Sequence, residues 1–220
     1  MLVIGHRGAA GLAKENTLSS LKKAQELGVD MIEIDVCLTR DGQIVLSHDW
    51  NLKRLYGSTK RIADLTLAEV KELTSGEMPT LIEALAVITT PINVHVKVRG
   101  LEKQLLAIMK NFSSEVLISS TFPGVLEKIR ALDENVKLGL VIGQGELYLL
   151  PILSLVLREI KLYSIHPEKR LVTSFDVRYL QSFKKKLFVW TVNDPKLFET
   201  YKSWNIDGVF TDNPTLIQHE

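Results

Sequence analysis

Short apolar runs alternate with segments of helical periodicity along most of the chain. Eight of these runs begin near residues 2, 31, 92, 116, 137, 161, 187 and 208, and helical patterns separate most of them. Alternation of strands and helices is typical of a parallel sheet, and eight repeats match a closed (β/α)8 TIM barrel. The pattern therefore predicts an α/β fold with one barrel domain over residues 1–220. A doubly wound open sheet is the alternative, because such a strand count can slip by one.

The predicted helices begin and end where the 3.6-residue period does. They cover about residues 18–27, 66–73, 80–89, 101–111, 123–132, 146–157, 174–185 and 195–203. Asn16 or Thr17 would cap the first helix, and Gly28 would end it. Residues 50–65 show little periodicity and are predicted to be a loop. About residues 42–80 are predicted to form the return arm of a β-hairpin and a small insertion after the second barrel strand.

The stretch 31–49 is predicted to be that hairpin, with its turn at Arg40-Asp41-Gly42. Glu33 and Asp35 share one face of its first strand, because side chains alternate along a strand. If residue 38 pairs with residue 43, residue 35 faces 46 and residue 33 faces 48, which folds His48 back onto both carboxylates. Buried charges need a metal or a counter-ion. The hairpin is therefore predicted to contribute to a site.

The composition is ordinary for a globular protein, with 45% hydrophobic and 24% charged residues. Lys and Arg number 27 against 26 Asp and Glu, a balance that gives no reason to expect a nucleic-acid partner. The single cysteine, Cys37, excludes an internal disulfide and is interpreted as a small buried thiol.

The N-terminus lacks the features of a signal peptide, and no apolar run reaches the roughly 18 residues of a membrane span. We therefore expect a cytoplasmic protein.

In a (β/α)8 barrel the active site lies at the C-terminal ends of the strands. Side chains that bind ions or transfer protons fall at these ends in most of the predicted strands. They are His6, Arg7, Glu33, Asp35, His95, Lys97, Ser119, His166, Trp190 and Asp212. The strand pattern therefore predicts one shared site at this end of the barrel.

Six short motifs follow one another in order from one end of the chain to the other. They are His6-Arg7-Gly8, Glu15-Asn16-Thr17, Glu33-x-Asp35, His48-Asp49, Trp190-Thr191-Val192-Asn193 and the segment 207–214, Asp-Gly-Val-Phe-Thr-Asp-Asn-Pro. In this the chain resembles the glycerophosphodiester phosphodiesterase family. The resemblance implies a (β/α)8 barrel, a divalent cation (Mg²⁺ or Ca²⁺), and hydrolysis of a small-molecule glycerophosphodiester to glycerol 3-phosphate and an alcohol.

The resemblance also implies roles for individual residues. Glu33 and Asp35 would hold the cation, Arg7 and Lys97 would contact the phosphate, and His6 and His48 would serve as acid and base. Which histidine has which role is left open. Three further residues have two interpretations each. Glu15 orients Arg7 or is a carboxylate at a helix start, Asp49 orients His48 or begins a turn, and Trp190 is a substrate-facing apolar wall or part of the core.

The third-strand motif departs from the family pattern. The family has Glu-x-Lys there, with the glutamate as a metal ligand, whereas this chain has His95-Val96-Lys97. Hard Mg²⁺ and Ca²⁺ prefer oxygen, while Mn²⁺, Co²⁺ or Zn²⁺ accept nitrogen more readily. The hypothesis is a site of Glu33, Asp35 and His95 with a shifted preference, with Mn²⁺ or Co²⁺ as candidates. The alternative is that His95 binds no metal and that metal binding is weaker.

Two other functions compete with the leading one. A lysophospholipase D-type reaction would keep the fold and the metal and is suggested only by the apolar run 147–157. That run is otherwise a packed helix or a homodimer surface. A non-catalytic phosphate-binding barrel is suggested only by His95, and the presence of both His6 and His48 argues against it, because binding alone does not need two histidines.

Overall fold

The computed structural model describes residues 1–144 and 153–216. Eight parallel strands close into a barrel, because the first strand pairs with both the second and the last, and one further strand runs antiparallel to the second. The closure confirms the (β/α)8 prediction and excludes the open sheet. The strands are β1 (Leu2–Gly5), β2 (Met31–Leu38), β3 (Ile44–Leu46), β4 (Ile92–Val96), β5 (Val116–Ser120), β6 (Lys137–Ile142), β7 (Ser164–Pro167), β8 (Lys186–Val189) and β9 (Gly208–Thr211).

Helices connect the strands on the outside of the barrel. In the described part of the chain they are α1 (Leu18–Glu26), α2 (Lys53–Tyr56), α3 (Leu67–Leu73), α4 (Leu81–Leu85), α5 (Glu102–Met109), α6 (Pro123–Leu132), α7 (Leu153–Ile160), α8 (Ser174–Gln181) and α9 (Pro195–Ser203). No helix there is both long enough and apolar enough to cross a membrane. Most of the apolar run 147–157 lies outside the described residues, which resume at the start of α7.

Several predictions of local structure differ from the structure, among them the helix predicted at about 80–89, which ends at Leu85. Strand β7 begins at Ser164 rather than at residue 161, because Lys161 has a φ of 53°, a left-handed turn conformation that no strand continues through. Helix α8 ends at Gln181 rather than at 185, and Lys184 beyond it has a φ of 55°. The predicted loop 50–65 contains α2 and a 3-10 turn at Ile62–Asp64.

The hairpin forms, but its predicted register is wrong by one residue. Leu38 pairs with Ile44 and Val36 with Leu46, so Asp35 lies opposite Ser47, whose N–H donates to the Asp35 carbonyl at 3.0 Å. The cause is a three-residue loop, with Gly42 at a φ of 77°, in place of the shorter turn that the predicted pairing requires. His48 therefore reaches the site from the loop after β3 and not as a paired residue opposite Glu33.

The two faces of each barrel strand have different roles. On β2 the apolar Ile32, Ile34 and Val36 are buried against the surrounding helices, while Met31, Glu33 and Asp35 occupy the opposite face, as the alternation predicts. A separate cluster on the inward face closes the lower part of the barrel. Its buried members are Ile4, Met31, Leu117, Phe188 and Phe210. Above this apolar layer, toward the C-terminal ends of the strands, the interior becomes polar.

Candidate active site

A cavity of about 220 Å³ opens at the C-terminal ends of the barrel strands. Its lining includes eight of nine residues that were predicted to transfer protons or to contact the cation or the substrate, namely His6, Arg7, Glu15, Glu33, Asp35, His48, His95, Lys97 and Trp190. The full lining is His6, Arg7, Glu33, Asp35, His48, Asn93, His95, Lys97, Ser119, Thr121, Val141, His166, Trp190 and Phe210. The ninth, Glu15, stands behind Arg7. The strand pattern therefore predicted that most of these residues lie at one end of one barrel, whereas His48 comes from the loop after β3.

The two carboxylates of β2 and the imidazole of β4 form the centre of the cavity. Asp35 and His95 are neighbours in the parallel pairing of the two strands, and His95 Nδ1 lies 3.3 Å from Asp35 Oδ1 and 3.8 Å from Glu33 Oε1. One ligand atom from each of the three residues lies within 4.8 Å of the others. The two carboxylates are almost fully buried, and the His95 side chain is 12% exposed.

The charges at this centre fit a divalent cation. Burial and the adjacent Asp35 charge raise the pKa of Glu33 to about 7, which means that two buried carboxylates repel each other where no cation separates them. Burial and Lys97 lower the pKa of His95 to about 4, so the imidazole is neutral and keeps a lone pair. Two carboxylates and a neutral imidazole together form a suitable donor set for a divalent transition metal.

Arg7 and Lys97 both approach Asp35. Arg7 Nε lies 3.3 Å from Asp35 Oδ2, and Lys97 Nζ lies 3.4 Å from Asp35 Oδ1. Burial opposes ionisation of Asp35, but Lys97 and His95, joined by Arg7, hold its pKa well below the usual range. Arg7 has a left-handed φ of 52°, a conformation in which its backbone N–H donates to Glu33 Oε2 at 2.8 Å. The first and second strands are thus joined through the site itself.

Glu15 accepts a hydrogen bond from Arg7 Nη1 at 2.8 Å, as expected if it orients the guanidinium. It also accepts two from Arg54, at 2.6 and 2.8 Å. Burial opposes ionisation of Glu15, but Arg54 and Arg7 together lower its pKa. Sequence reasoning missed Arg54, because it belongs to α2 within the segment predicted to be a loop, and no periodicity marks it.

His6 is paired with a carboxylate that follows the last barrel strand. Its Nδ1 lies 2.6 Å from Asp212 Oδ1, and Asn193 Nδ2 donates to the other oxygen of the same carboxylate at 2.6 Å. Burial alone would lower the pKa of His6, but the hydrogen bond that Nδ1 makes to Asp212 and the charge of Glu33 raise it. Asp212 therefore orients the ring and favours its protonated form.

His48 is paired with its neighbour in sequence. Its Nδ1 lies 2.7 Å from Asp49 Oδ1, and Arg54 Nε donates to Asp49 Oδ2 at 2.7 Å. Asp49 thus orients His48, which was one of its two interpretations. Burial is the largest influence on His48 and, joined by Lys97 and Arg7, lowers its pKa below the usual value despite Asp35 and Asp49.

Asn16 supports the centre from behind. Its side chain donates to Asp35 Oδ2 at 3.0 Å and accepts from the Asp35 backbone N–H at 3.1 Å, in a left-handed conformation with a φ of 55°. The N-cap of α1 is Thr17, whose hydroxyl accepts a hydrogen bond from the Ser20 backbone N–H.

Cys37 is a buried free cysteine. Burial and the nearby Asp35 charge raise the pKa of its thiol to about 12, and the thiol faces the Ser47 carbonyl.

Trp190 and His166 form part of the opposite wall. Trp190 Nε1 donates to the His166 carbonyl at 2.8 Å, which holds the indole against the cavity. Burial and the nearby His95 lower the pKa of His166 to about 3. Asn93 and Thr121 also line the cavity, although sequence reasoning did not select them. Their inward positions, two residues from His95 on β4 and from Ser119 on β5, were the available signal.

Known proteins resemble this chain over nearly its whole length. The model of the glycerophosphoryl diester phosphodiesterase family matches residues 6–216. A glycerophosphodiester phosphodiesterase of Caldanaerobacter subterraneus is 33% identical over 98% of this chain and 96% of its own. The solved structure of a Thermotoga maritima glycerophosphodiester phosphodiesterase has a TM-score of 0.89 at 33% identity, covering 98% of this chain and 96% of that one. An Oleispira antarctica phosphodiesterase in complex with its product, sn-glycerol-3-phosphate, also has a TM-score of 0.89, at 28% identity and coverages of 99% and 95%.

Proposed function

The chain belongs to the glycerophosphoryl diester phosphodiesterase family and is an enzyme, and we propose that it hydrolyses glycerophosphodiesters with a divalent cation and two histidines. The substrates would be small molecules such as glycerophosphocholine or glycerophosphoethanolamine. The products would be sn-glycerol 3-phosphate and the alcohol. The two His–Asp pairs that line one cavity with the carboxylates of β2 carry this proposal.

Each pair leaves one ring nitrogen available for proton transfer. Nδ1 of His6 is held by Asp212 and Nδ1 of His48 by Asp49, so Nε2 is the exchanging atom in both rings. Hydrolysis of a phosphodiester needs a proton taken from the nucleophile and a proton given to the leaving alkoxide. Two oriented imidazoles supply both steps, whereas a barrel that only binds phosphate needs neither.

The environments of the two histidines divide these roles. The pKa of His6 is raised, in spite of burial, by Asp212 and Glu33, so this ring holds a proton more readily than an ordinary histidine does. The pKa of His48 is lowered, chiefly by burial, so this ring is free to accept one. His6 is therefore assigned as the acid that protonates the leaving alkoxide, and His48 as the base that deprotonates the nucleophile.

Glu33, Asp35 and His95 would hold the cation. A bound divalent cation neutralises charge on the phosphate oxygens as it develops. Because one of the three ligands is a nitrogen, Mn²⁺ or Co²⁺ would be preferred over Mg²⁺ or Ca²⁺. Lys97 and Arg7 border this centre and would bind the phosphate. Lys97 would act as a point charge, and Arg7 would bind through its planar guanidinium. Glu15 would keep Arg7 oriented, and Trp190 would form an apolar wall of the cavity.

Turnover and ligand binding together test the enzymatic assignment. His6→Ala and His48→Ala are each expected to lower kcat for glycerophosphocholine by about 10²–10⁴-fold, the contribution of a positioned acid or base. Calorimetric binding of sn-glycerol 3-phosphate should persist in both variants. Unchanged turnover in both would remove the two histidines from the mechanism.

A second candidate is hydrolysis of lysophospholipids, and one observation favours it. Three large apolar side chains are exposed on the segments that follow β1, β3 and β5, which end on the cavity side of the barrel: Leu12 (43%), Trp50 (61%) and Phe122 (38%). Such side chains suit an acyl chain or a lipid surface. Parallel assays with glycerophosphocholine and lysophosphatidylcholine decide between the two, since an acyl-dependent enzyme would release choline faster from the second.

A further inference from the structure

The end of the barrel opposite the cavity has a basic groove. Two adjoining clefts of about 620 and 400 Å³ open there, and they share Tyr163, Lys186 and Asp207. These three residues lie at or just before the starts of β7, β8 and β9. The groove therefore lies at the N-terminal ends of the strands, far from the active-site cavity. We call it the basal groove and define it by six of its lining residues: Tyr163, Lys184, Lys185, Lys186, Lys202 and Asp207.

Most of the positive charge in the basal groove is not compensated. The groove has one carboxylate, Asp207, which accepts hydrogen bonds from Lys186 Nζ at 2.7 Å and from the Leu187 N–H at 2.9 Å, one on each oxygen. Within residues 1–144 and 153–216, neither Lys184 nor Lys185 forms an ion pair through its side chain. Two ammonium groups of the groove are thus available to an anionic partner.

This excess of positive charge is local. The basal groove has four of the 27 Lys and Arg residues of the chain but one of the 26 Asp and Glu residues. The rest of the chain consequently has more acidic than basic residues. Lys202 adds to the excess, because its ion pair with Glu199 is long, at 3.9 Å, and both side chains are more than half exposed. Charge of one sign at one end of a molecule orients that end toward an anionic partner.

Two lysines at this end occupy backbone positions that favour glycine or asparagine. Lys161, directly after α7, has a φ of 53°, and Lys184, shortly after α8, has a φ of 55°. The equivalent turn after α9 has Asn205 at a φ of 55°. A lysine in this left-handed conformation has a steric cost that glycine avoids. Positive charge is therefore present at two positions where the geometry of the turn alone favours a different residue.

The basal groove is open and includes apolar surface. Leu2 lines it and is 37% exposed, and Tyr163 beside it is partly exposed. The side chains of Lys186 and Lys202 are 53% and 52% exposed, so the groove is a shallow contact surface and not an enclosed pocket. Lysines around an aromatic ring and an exposed leucine suit an anionic lipid surface, because the apolar groups enter the headgroup region while the ammonium groups stay beside the phosphates.

We propose that the basal groove docks the protein onto a membrane surface of anionic phospholipids. The lysines pair with headgroup phosphates, and Leu2 enters the boundary between headgroups and acyl chains. A single small phosphate ligand fits less well, because the described lining contains lysines and no arginine, the residue that binds one phosphate in a fixed geometry. The proposal does not rest on the function proposed above, since docking is measured without any substrate.

Docking through the basal groove decides which end of the barrel faces water. The active-site cavity lies at the opposite ends of the strands, so it faces away from the lipid. Soluble glycerophosphodiesters reach such a cavity, whereas a lysophospholipid anchored in the same membrane does not. Docking through the exposed Leu12, Trp50 and Phe122 would give the reverse orientation. Variants at the two ends of the barrel distinguish the two orientations.

Sedimentation with lipid vesicles measures the docking. One set of vesicles contains equal parts of phosphatidylglycerol and phosphatidylcholine, and a second set contains phosphatidylcholine alone. We expect the full chain to sediment with the first set and not with the second. Raising the NaCl concentration from ~0.1 M to ~1 M should release it, because the Debye length falls from about 10 Å to about 3 Å.

The double variant Lys184→Asn, Lys185→Gln removes two charges from the groove. Asparagine tolerates a left-handed φ, so the turn is kept, and urea unfolding verifies that the variant is as stable as the wild type. Its partitioning onto the anionic vesicles should fall roughly 20-fold, from about fivefold for each lysine. Lys53→Gln, Lys60→Gln is the matched control. It removes the same charge from exposed lysines on either side of Arg54, which contacts the cavity end, and should change partitioning little.

Three results would overturn the proposal. The first is no binding to the anionic vesicles. The second is an equal loss of binding in the two double variants, which would assign the attraction to overall charge and not to the basal groove. The third is binding to phosphatidylcholine alone, or binding that is lost in Trp50→Ser and kept in Lys184→Asn, Lys185→Gln, either of which would assign the lipid contact to the apolar side chains at the cavity end.

Calorimetric titration with inorganic phosphate separates a lipid surface from a free anion. A phosphate site that is present in the wild type and absent from Lys184→Asn, Lys185→Gln, in a protein that does not bind the vesicles, would assign the basal groove to a small phosphate ligand and would overturn membrane docking. Vesicle binding that is lost in this variant, with the same phosphate titration in variant and wild type, supports the lipid surface.

Discussion

His95 Nδ1 lies 3.3 Å from Asp35 Oδ1, on the strand next to it. This contact places an imidazole where a carboxylate would complete an all-oxygen cation site. Its consequence is electrostatic: the centre has two carboxylates in place of three, and it borders two cationic side chains, Arg7 and Lys97.

His95→Glu should shift the cation preference toward Mg²⁺ and Ca²⁺, because it replaces nitrogen by oxygen and adds a negative charge. His95→Ala should weaken Mn²⁺ binding by at least about tenfold. Both are measured by titrating the metal-free protein calorimetrically. Lys97→Met is the matched control: it removes a group that competes for Asp35, so cation affinity should stay equal or rise. Unchanged Mn²⁺ affinity in His95→Ala would remove His95 from the ligand set.

Asp212→Asn should change how activity depends on pH. Asp212 raises the pKa of His6 against the effect of burial, so its loss lowers that pKa and the acid becomes deprotonated at lower pH. The alkaline limb of the kcat/KM profile should move to lower pH, and kcat should fall by about 10². Asp207→Asn, which affects a carboxylate bound to Lys186 and the Leu187 N–H, should leave the profile in place. A profile that does not move in Asp212→Asn would separate His6 from the proton-transfer step.

Arg54→Gln should lower kcat/KM by a few-fold with little loss of stability. The side chain is 46% exposed, and exposed ion pairs contribute about 0–1 kcal/mol to folding, but this one joins Glu15 behind Arg7 to Asp49 beside His48. Denaturant midpoints measured alongside the kinetics distinguish positioning from folding. Arg61→Gln, at a more exposed arginine in the same segment, should affect neither quantity. Equal kinetics for the two variants would deny Arg54 its positioning role.

Gly139→Ala should destabilise the protein by about 1–3 kcal/mol, the usual cost of overpacking a core. Its Cβ would lie 2.6 Å from His166 Nε2 and 2.8 Å from Ser164 Oγ. Gly124→Ala is the control, because a Cβ there has no neighbour within 4 Å and alanine favours the helix. Urea unfolding of both variants measures the difference, and equal free energies of unfolding would show that His166 moves aside without cost.

Much of the barrel could be predicted because its signals are local. Alternation on β2 separated Glu33 and Asp35 from the apolar face, and strand ends identified most of the cavity lining. The hairpin register could not be obtained in this way, since a positive φ at Gly42 lengthens the loop and moves every pair by one residue. The ion pairs of Arg54 and the position of the His166 ring beside Gly139 depend on contacts between different segments of the chain. The pattern of apolar residues carries no signal for such contacts.

The central claim is tested most directly by an assay of glycerophosphocholine hydrolysis. Metal-free enzyme is assayed in parallel with added Mn²⁺, Co²⁺, Mg²⁺ or Ca²⁺. The proposed function predicts sn-glycerol 3-phosphate release that requires an added cation and is faster with Mn²⁺ or Co²⁺ at low cation concentration. Release with Mg²⁺ or Ca²⁺ alone at low concentration would contradict the role of His95. No release with any of the four cations would contradict the glycerophosphodiesterase assignment itself.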